Sequence, residues 1–165
     1  MLIKLNMANA FDRVKLSFLY SILHYFGFIP TFINLIKACT DKPWIAPLVN
    51  GRPTNFFQAT RGLREGCPLL RFLYIIMADS LSRKLIAEKI AGIIPGITSV
   101  AGIEAINHVL FADDTLLLGG ASLNLAKAFS GIRNQFCIVS GALINKSKSF
   151  MYGWNVDHSK IRKIS

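Results

Sequence analysis

The stretch VLFADDTLLL, residues 109–118, sets two adjacent carboxylates, Asp113 and Asp114, inside a run that is otherwise almost wholly apolar. Burying one unpaired carboxylate is costly, and burying two side by side costs more because like charges repel. A metal ion, a basic partner or escape to solvent at a turn must therefore offset the charge. Successive side chains of a strand point to opposite faces, so the two acids address one site only from the tip of a hairpin. Val109–Ala112 and Leu116–Leu118 are then its arms, both apolar because both are buried. Such a tip is a candidate for half of a divalent-metal site, the alternatives being a solvated turn or a helix cap. Magnesium takes hard oxygen ligands, usually one or two carboxylates plus substrate phosphates.

The 165 residues make one domain's length, and 52% are hydrophobic with a mean hydropathy of +0.42. Apolar surface beyond one core's need is expected where outer faces lack their partners. Nineteen Lys and Arg against nine Asp and Glu give a net charge of +10 and a pI near 9.9. That excess points to a polyanion, nucleic acid before an anionic membrane surface, although basic charge also serves solubility. Cys39, Cys67 and Cys137 are odd in number and far apart, and His24, His108 and His158 are isolated. This fits free thiols in a reducing compartment and no zinc site. Met1-Leu2-Ile3-Lys4 turns polar too soon for a secretory signal, so an intracellular location, nuclear or cytoplasmic, is expected.

Leu16 to Ile36 holds no Lys, Arg, Asp or Glu and is long enough for a membrane helix. Gly27-Phe28-Ile29-Pro30 interrupts it, which favours two buried helices, Ser17 to Tyr25 or Phe26 and Thr31 to Cys39. Gly27 should close the first as a left-handed cap and Thr31 should cap the second. No membrane partner is expected. Leu2 to Met7 alternates as a strand, and residues 8–13 form a loop. Ile45–Val49 and Asn55–Ala59 flank Asn50-Gly51, the strongest short hairpin signal. A basic, glycine-punctuated loop over residues 61–68 leads into a helix from Leu69 to Glu88, with Leu69, Phe72, Leu73, Ile76, Ala78, Leu81 and Leu85 at helical spacing. Ile90 to Ile106 reads as irregular. A last helix runs from Ser122 to Val139 and stops at Ser140-Gly141. Both ends of the chain read as cut.

Five blocks stand out in order: Asn6-Met7-Ala8-Asn9-Ala10-Phe11-Asp12-Arg13-Val14; Val49-Asn50-Gly51; Arg61-Gly62-Leu63-Arg64-Glu65-Gly66-Cys67-Pro68-Leu69; Phe111-Ala112-Asp113-Asp114; and Ser140-Gly141 through Asn145 and Lys148. Together they resemble the reverse transcriptase domain of non-LTR, LINE-type retrotransposons, from about Leu2 to Lys148. The resemblance implies an α+β fold, the palm subdomain of a right-hand polymerase. In it an antiparallel sheet with the catalytic hairpin packs against helices, and fingers and thumb are largely missing. Residues 1–165 are then a partial reverse transcriptase domain, palm with part of the fingers.

The implied activity is that of an RNA-directed DNA polymerase, with RNA template, DNA primer and deoxynucleoside triphosphates as partners. Two magnesium ions serve in-line nucleotidyl transfer in that scheme. Asp113 matches a metal ligand, Asp114 its less directly bound neighbour, and Asn6 the other ligand's position. Phe11 matches the aromatic under the incoming sugar, and Lys148 a lysine near the pyrophosphate with a proton-donor role. Arg64, Glu65 and Gly66 match the nucleotide loop, and Arg61 and Pro68 the template side. Arg61 and Arg64 suit phosphate contacts.

Three departures stand against activity. Asn6 replaces the family's aspartate and removes a full charge from a site for a hard dication. Glu65 replaces a glutamine and would repel phosphates. Leu70-Arg71 replaces Ser-Pro at the helix start. Fingers, thumb and endonuclease segments of the family's enzymes are missing from the pattern. The sequence thus predicts a truncated, degenerate and inactive copy in which magnesium binding is doubtful. The alternative is a non-catalytic, basic nucleic-acid-binding remnant.

Overall fold

Alternating apolar and polar residues put Leu2–Asn6 into a strand, β1, and the computed structural model describes the chain over residues 1–63, 68–98, 102–156 and 161. Helices α1 (Leu16–Tyr25) and α2 (Pro30–Thr40) follow, then four short strands, β2 (Trp44–Ile45), β3 (Leu48–Val49), β4 (Arg52–Pro53) and β5 (Phe57–Gln58). The long helix α3 (Pro68–Ile90), strands β6 (His108–Phe111) and β7 (Asp114–Leu118), helix α4 (Leu123–Ser140) and strand β8 (Phe150–Tyr152) complete the order.

The main sheet is antiparallel with the order β6-β7-β1-β8. Its inner face, including Leu5, Thr115 and Leu117, is buried with Leu73, Met77, Leu81 and Leu85 of α3 and Phe129, Ile132 and Phe136 of α4. Among the described residues the outer face is open, with Val109, Phe111 and Phe150 exposed. By the period-two rule it presents Lys4, Asn6, Asp114, Leu116, Val109, Phe111 and Phe150 together.

The uncharged stretch breaks where the sequence breaks it. Gly27 has φ +84 and its N–H bonds to the His24 carbonyl, so the left-handed cap is present. Thr31 is not the cap of α2, because the helix already starts at Pro30, with Ile29 before it and no side-chain cap. Proline at the first helical position needs no N–H partner, so it starts the helix unaided. Among the described residues no helix is long and apolar enough to cross a membrane.

The Asn-Gly hairpin forms, with φ +51 and +75 at Asn50 and Gly51, but its ladder is interrupted. Val49 pairs with Arg52 next to the turn, Trp44 pairs with Gln58 farther out, and both short ladders are exposed. In α3 the buried stripe is Leu70, Leu73, Tyr74, Met77, Leu81 and Leu85, while Phe72 is 65% exposed. The helix is apolar around most of its first half, so spacing alone does not select the stripe; the packing of α1, α4 and β6 does.

Candidate functional site

Strand β1 lies between β7 and β8, and its register places Asn6 opposite Asp114. The hairpin between β6 and β7 pairs Phe111 with Asp114, leaving Ala112-Asp113 as the connection, with Ala112 at φ +52. Positive φ at the first connecting residue belongs to the primed turns that match strand twist. Asp113 thus sits at the tip, and Asp114 is the first residue of β7 on the open face. The expectation of two buried arms needs correction. β7 alternates buried and half-buried residues, but β6 is an edge strand, Ala112 belongs to the turn, and Phe111 is 79% exposed.

The acids are offset from inside the chain. The Asn6 side-chain Nδ2 donates to Asp114 Oδ1 at 2.8 Å and, more weakly, to Asp113 Oδ2 at 3.4 Å. Lys4 Nζ reaches Asp114 Oδ2 at 2.7 Å. The Lys4 hydrogen bond and then that of Asn6 hold the Asp114 carboxyl below its usual range, and the Lys4 and Lys148 charges add to this. Two of the ways to offset the charge are seen together: a basic partner on Asp114 and partial exposure of both acids at the turn. Lys4 is not among the residues that the sequence singles out. Its signal is spacing, because two residues before Asn6 on a strand means the same face.

The last block docks on the first through backbone. The Asn145 N–H bonds to the Asn6 carbonyl at 2.8 Å, and the Asn6 N–H to Ser149 Oγ at 3.0 Å. Lys148 lies in this turn, exposed, with its N–H on the Asn145 carbonyl at 3.2 Å. The Lys15 N–H bonds to the Ser140 carbonyl, and Gly141 takes φ +84 against the Arg13 carbonyl, where a Cβ would collide. That close approach explains Ser140-Gly141.

Phe11 is half-buried and lies on Tyr74 of α3, ring centroids 4.7 Å apart. Burial, with the Asp113 charge adding, pushes the Tyr74 hydroxyl up to about 12. Tyr74 also escapes the sequence reading, because it looks like one more apolar position on α3. The Leu63 N–H bonds to the Phe11 carbonyl at 2.8 Å, and the Gly62 N–H to that of Val14 at 2.9 Å. Gly62 has φ +92, and a Cβ there would lie 2.7 Å from the Asp12 carbonyl oxygen. Arg61, exposed, is thereby held beside the first block, and Pro68 begins α3. Arg64, Glu65, Gly66 and Cys67 lie outside the described residues, so the nucleotide-loop assignments are not placed. The other named residues lie in the first block, the loop and helix against it, the hairpin and the last block.

The donor set does not fit a two-ion magnesium site. Asn6 turns an N–H donor toward the carboxylates where a metal needs an oxygen, and one Asp114 oxygen is already on an ammonium. Asp12, the nearest acid in sequence, is exposed on the loop against Gly62. Among the described residues no three His, Cys, Asp or Glu side chains are grouped to hold an ion.

The sequence matches the family model described as reverse transcriptase (RNA-dependent DNA polymerase) over residues 1–159. It is 40% identical over 68 residues to the uncharacterized mitochondrial protein AtMg01250 of Arabidopsis thaliana, covering 41% of the chain and 56% of that protein. Over 148 residues, 89% of the chain, it is 29% identical to the retrovirus-related Pol polyprotein from the type-1 retrotransposable element R2 of Popillia japonica, of which it spans 20%. The chain therefore spans only part of the length of these relatives. Its fold is similar to that of telomerase from Candida albicans, solved in complex with a TWJ fragment of telomeric RNA, with a TM-score of 0.64 at 13% identity over 94% of the chain and 27% of that one. This is the palm-like α+β fold of a polymerase. With the family model matching nearly end to end and relatives among retrotransposon Pol proteins, the chain belongs to the reverse transcriptase family, as the LINE-type resemblance implied.

Proposed function

We propose that residues 1–165 are the palm, with part of the fingers, of an RNA-directed DNA polymerase that has lost nucleotidyl transfer and keeps nucleic-acid binding. The observation that carries this is the Asn6 amide nitrogen on both Asp114 and Asp113, with Lys4 on Asp114. In the family a pair of magnesium ions supplies the charge that activates the primer hydroxyl and steadies the leaving pyrophosphate. Here Asp113 and Asp114 are the remaining catalytic and metal-binding positions, and Asn6 is the degenerate one. Lys148 keeps its place near them. In this reading Phe11 meets the incoming sugar, and Arg61 and Pro68 serve the template side.

The net charge of +10 supports retained affinity for template and primer. Relatives named as Pol polyproteins, and a telomerase neighbour solved with RNA, support RNA and DNA as the partners. Primer extension on an RNA template tests the loss of chemistry. The chain should incorporate no nucleotide with magnesium. Asn6→Asp, with Glu65→Gln, Leu70→Ser and Arg71→Pro, should restore incorporation when fingers and thumb are supplied. Magnesium-dependent extension by the unaltered chain would end this reading. Binding to an RNA–DNA duplex should weaken steeply with salt, and affinity indifferent to salt would remove the nucleic-acid part of it.

A further inference from the structure

The β8 edge of the sheet holds a second feature, lined from both faces and meeting the carboxylate cluster at Lys4. Between α4 and the β1–β8 edge runs an open cavity of about 560 Å³. Its floor is apolar, with Leu5, Phe129 and Met151, and Phe150 stands on its wall 56% exposed. Among the described residues three cations line it, Lys4, Arg133 and Lys146, and no carboxylate does; Lys4 is already paired with Asp114, which leaves Arg133 and Lys146.

Arg133 is held in place by neutral groups. Its Nη2 donates to Ser130 Oγ at 2.7 Å, and Nη2 and Nε donate to the neighbouring Asn134 Oδ1 at 2.9 and 3.2 Å. Those bonds orient the guanidinium without neutralising it, and among the described residues neither Arg133 nor Lys146 forms an ion pair. Between Asp114 and Asp157 the sequence carries charge of one sign. Residues 115–156 contain four cations, Lys127, Arg133, Lys146 and Lys148, and no acid. A cavity with oriented, unneutralised cations and apolar walls complements a polyanion that also offers flat apolar faces. Single-stranded nucleic acid does so, because its bases are unstacked, whereas a duplex hides base faces and offers phosphates alone.

We propose that this groove binds the backbone of single-stranded RNA, with Arg133 and Lys146 on phosphates and Phe150 against a base, as a contact beyond the hairpin cluster that it borders at Lys4. The proposal rests on the nucleic-acid reading above. The test compares the chain with its Arg133→Gln, Lys146→Gln double variant, titrating a fluorescein-labelled single-stranded RNA and an RNA–DNA duplex over a range of salt. Removing two phosphate contacts should lower the salt slope for single strands by about 1.4, at about 0.7 per contact. Affinity for the single strand should fall at least about tenfold at moderate salt. Duplex affinity should stay within about twofold.

An unchanged single-strand slope overturns the groove while leaving the duplex reading intact. An equal loss for both ligands also overturns it, because the cations are then only general surface charge. Failure of the unaltered chain to bind either ligand removes both readings. Displacement of the RNA by polyglutamate at equal charge concentration would assign the groove to an acidic protein segment instead. If the double variant does not fold by circular dichroism, photocrosslinking of 4-thiouridine RNA to the unaltered chain decides. Adducts within residues 126–133 and 146–151 uphold the groove, and adducts confined elsewhere overturn it.

Discussion

Strand β6 ends in two polar clusters that meet opposite demands. Just before the strand, Asn107 is 2% exposed; its Nδ2 donates to the Leu85 carbonyl at 2.7 Å and, at 3.5 Å, to that of Ile94. Its Oδ1 lies 2.6 Å from His108 Nδ1, and His108 Nε2 lies 2.7 Å from Ser82 Oγ on α3. Beyond the other end, Asp113 and Asp114 meet Asn6 and Lys4 on the open face. The buried cluster is neutral and closed, so each group in it is costly to orphan. The open cluster is charged and half-solvated, so each bond in it is cheap to lose but sensitive to a change of charge. Position along one strand therefore separates residues that hold the fold from residues that decide the chemistry.

The sharpest way to break this contrast is at the buried end. Asn107→Leu would remove the side-chain donor from the Leu85 carbonyl and leave His108 Nδ1 without its partner, and should cost about 2 kcal/mol in urea unfolding. A loss below about 1 kcal/mol would mean that the cluster does not anchor β6. At the open end, Asn6→Asp would gather three carboxylates and should cost about 1.4 kcal/mol in EDTA, the equivalent of one pKa unit. Magnesium should then raise the melting temperature of that variant and leave that of the unaltered chain unchanged. An equal magnesium response in both would show that Asn6 does not control ion binding.

Acidity separates the two ends next. Burial, with Lys89 adding, pulls the His108 ring below its ordinary value of 6.5. The unfolded chain then binds that proton more readily than the folded one, so stability should fall as pH drops below 6.5 toward the lowered value. The Asp114 carboxyl is also lowered, from 3.8, so its contribution is present above 3.8 and is lost as pH falls below that toward the depressed value. Melting curves from neutral to acid pH should show two separate losses. The first should vanish in His108→Gln and the second should shrink in Lys4→Met. The smallest effect is at neutral pH, where Lys4→Met should cost about 0.5 kcal/mol, because the pair it breaks is partly exposed.

Much of this was legible in the chain. Asn50-Gly51, Gly27 and the Ser140-Gly141 stop each demand a backbone conformation that few residues take, and each lies in the structure where that demand places it. The Asp113-Asp114 hairpin follows from the two-residue period of strands. Less legible were the features that depend on a choice among equals. Phe72 and Leu70 are both apolar on α3, and only the neighbouring helices select Leu70 for the core. The arms 109–112 and 116–118 look equally apolar, yet β6 is an edge and β7 is interior.

The sequence by itself determined the family, the order of the elements and the pair of acids, because those rest on local backbone preference and on residue types at short spacing. Only the tertiary structure decided what balances the acids. Lys4 and Asn6 are more than a hundred positions away along the chain, and a register of β1 against β7 brings them within hydrogen-bonding distance. The same is true of the groove beneath β8, where Arg133 and Lys146 come from separate elements and only the packing of α4 along the sheet edge makes them neighbours in one cavity.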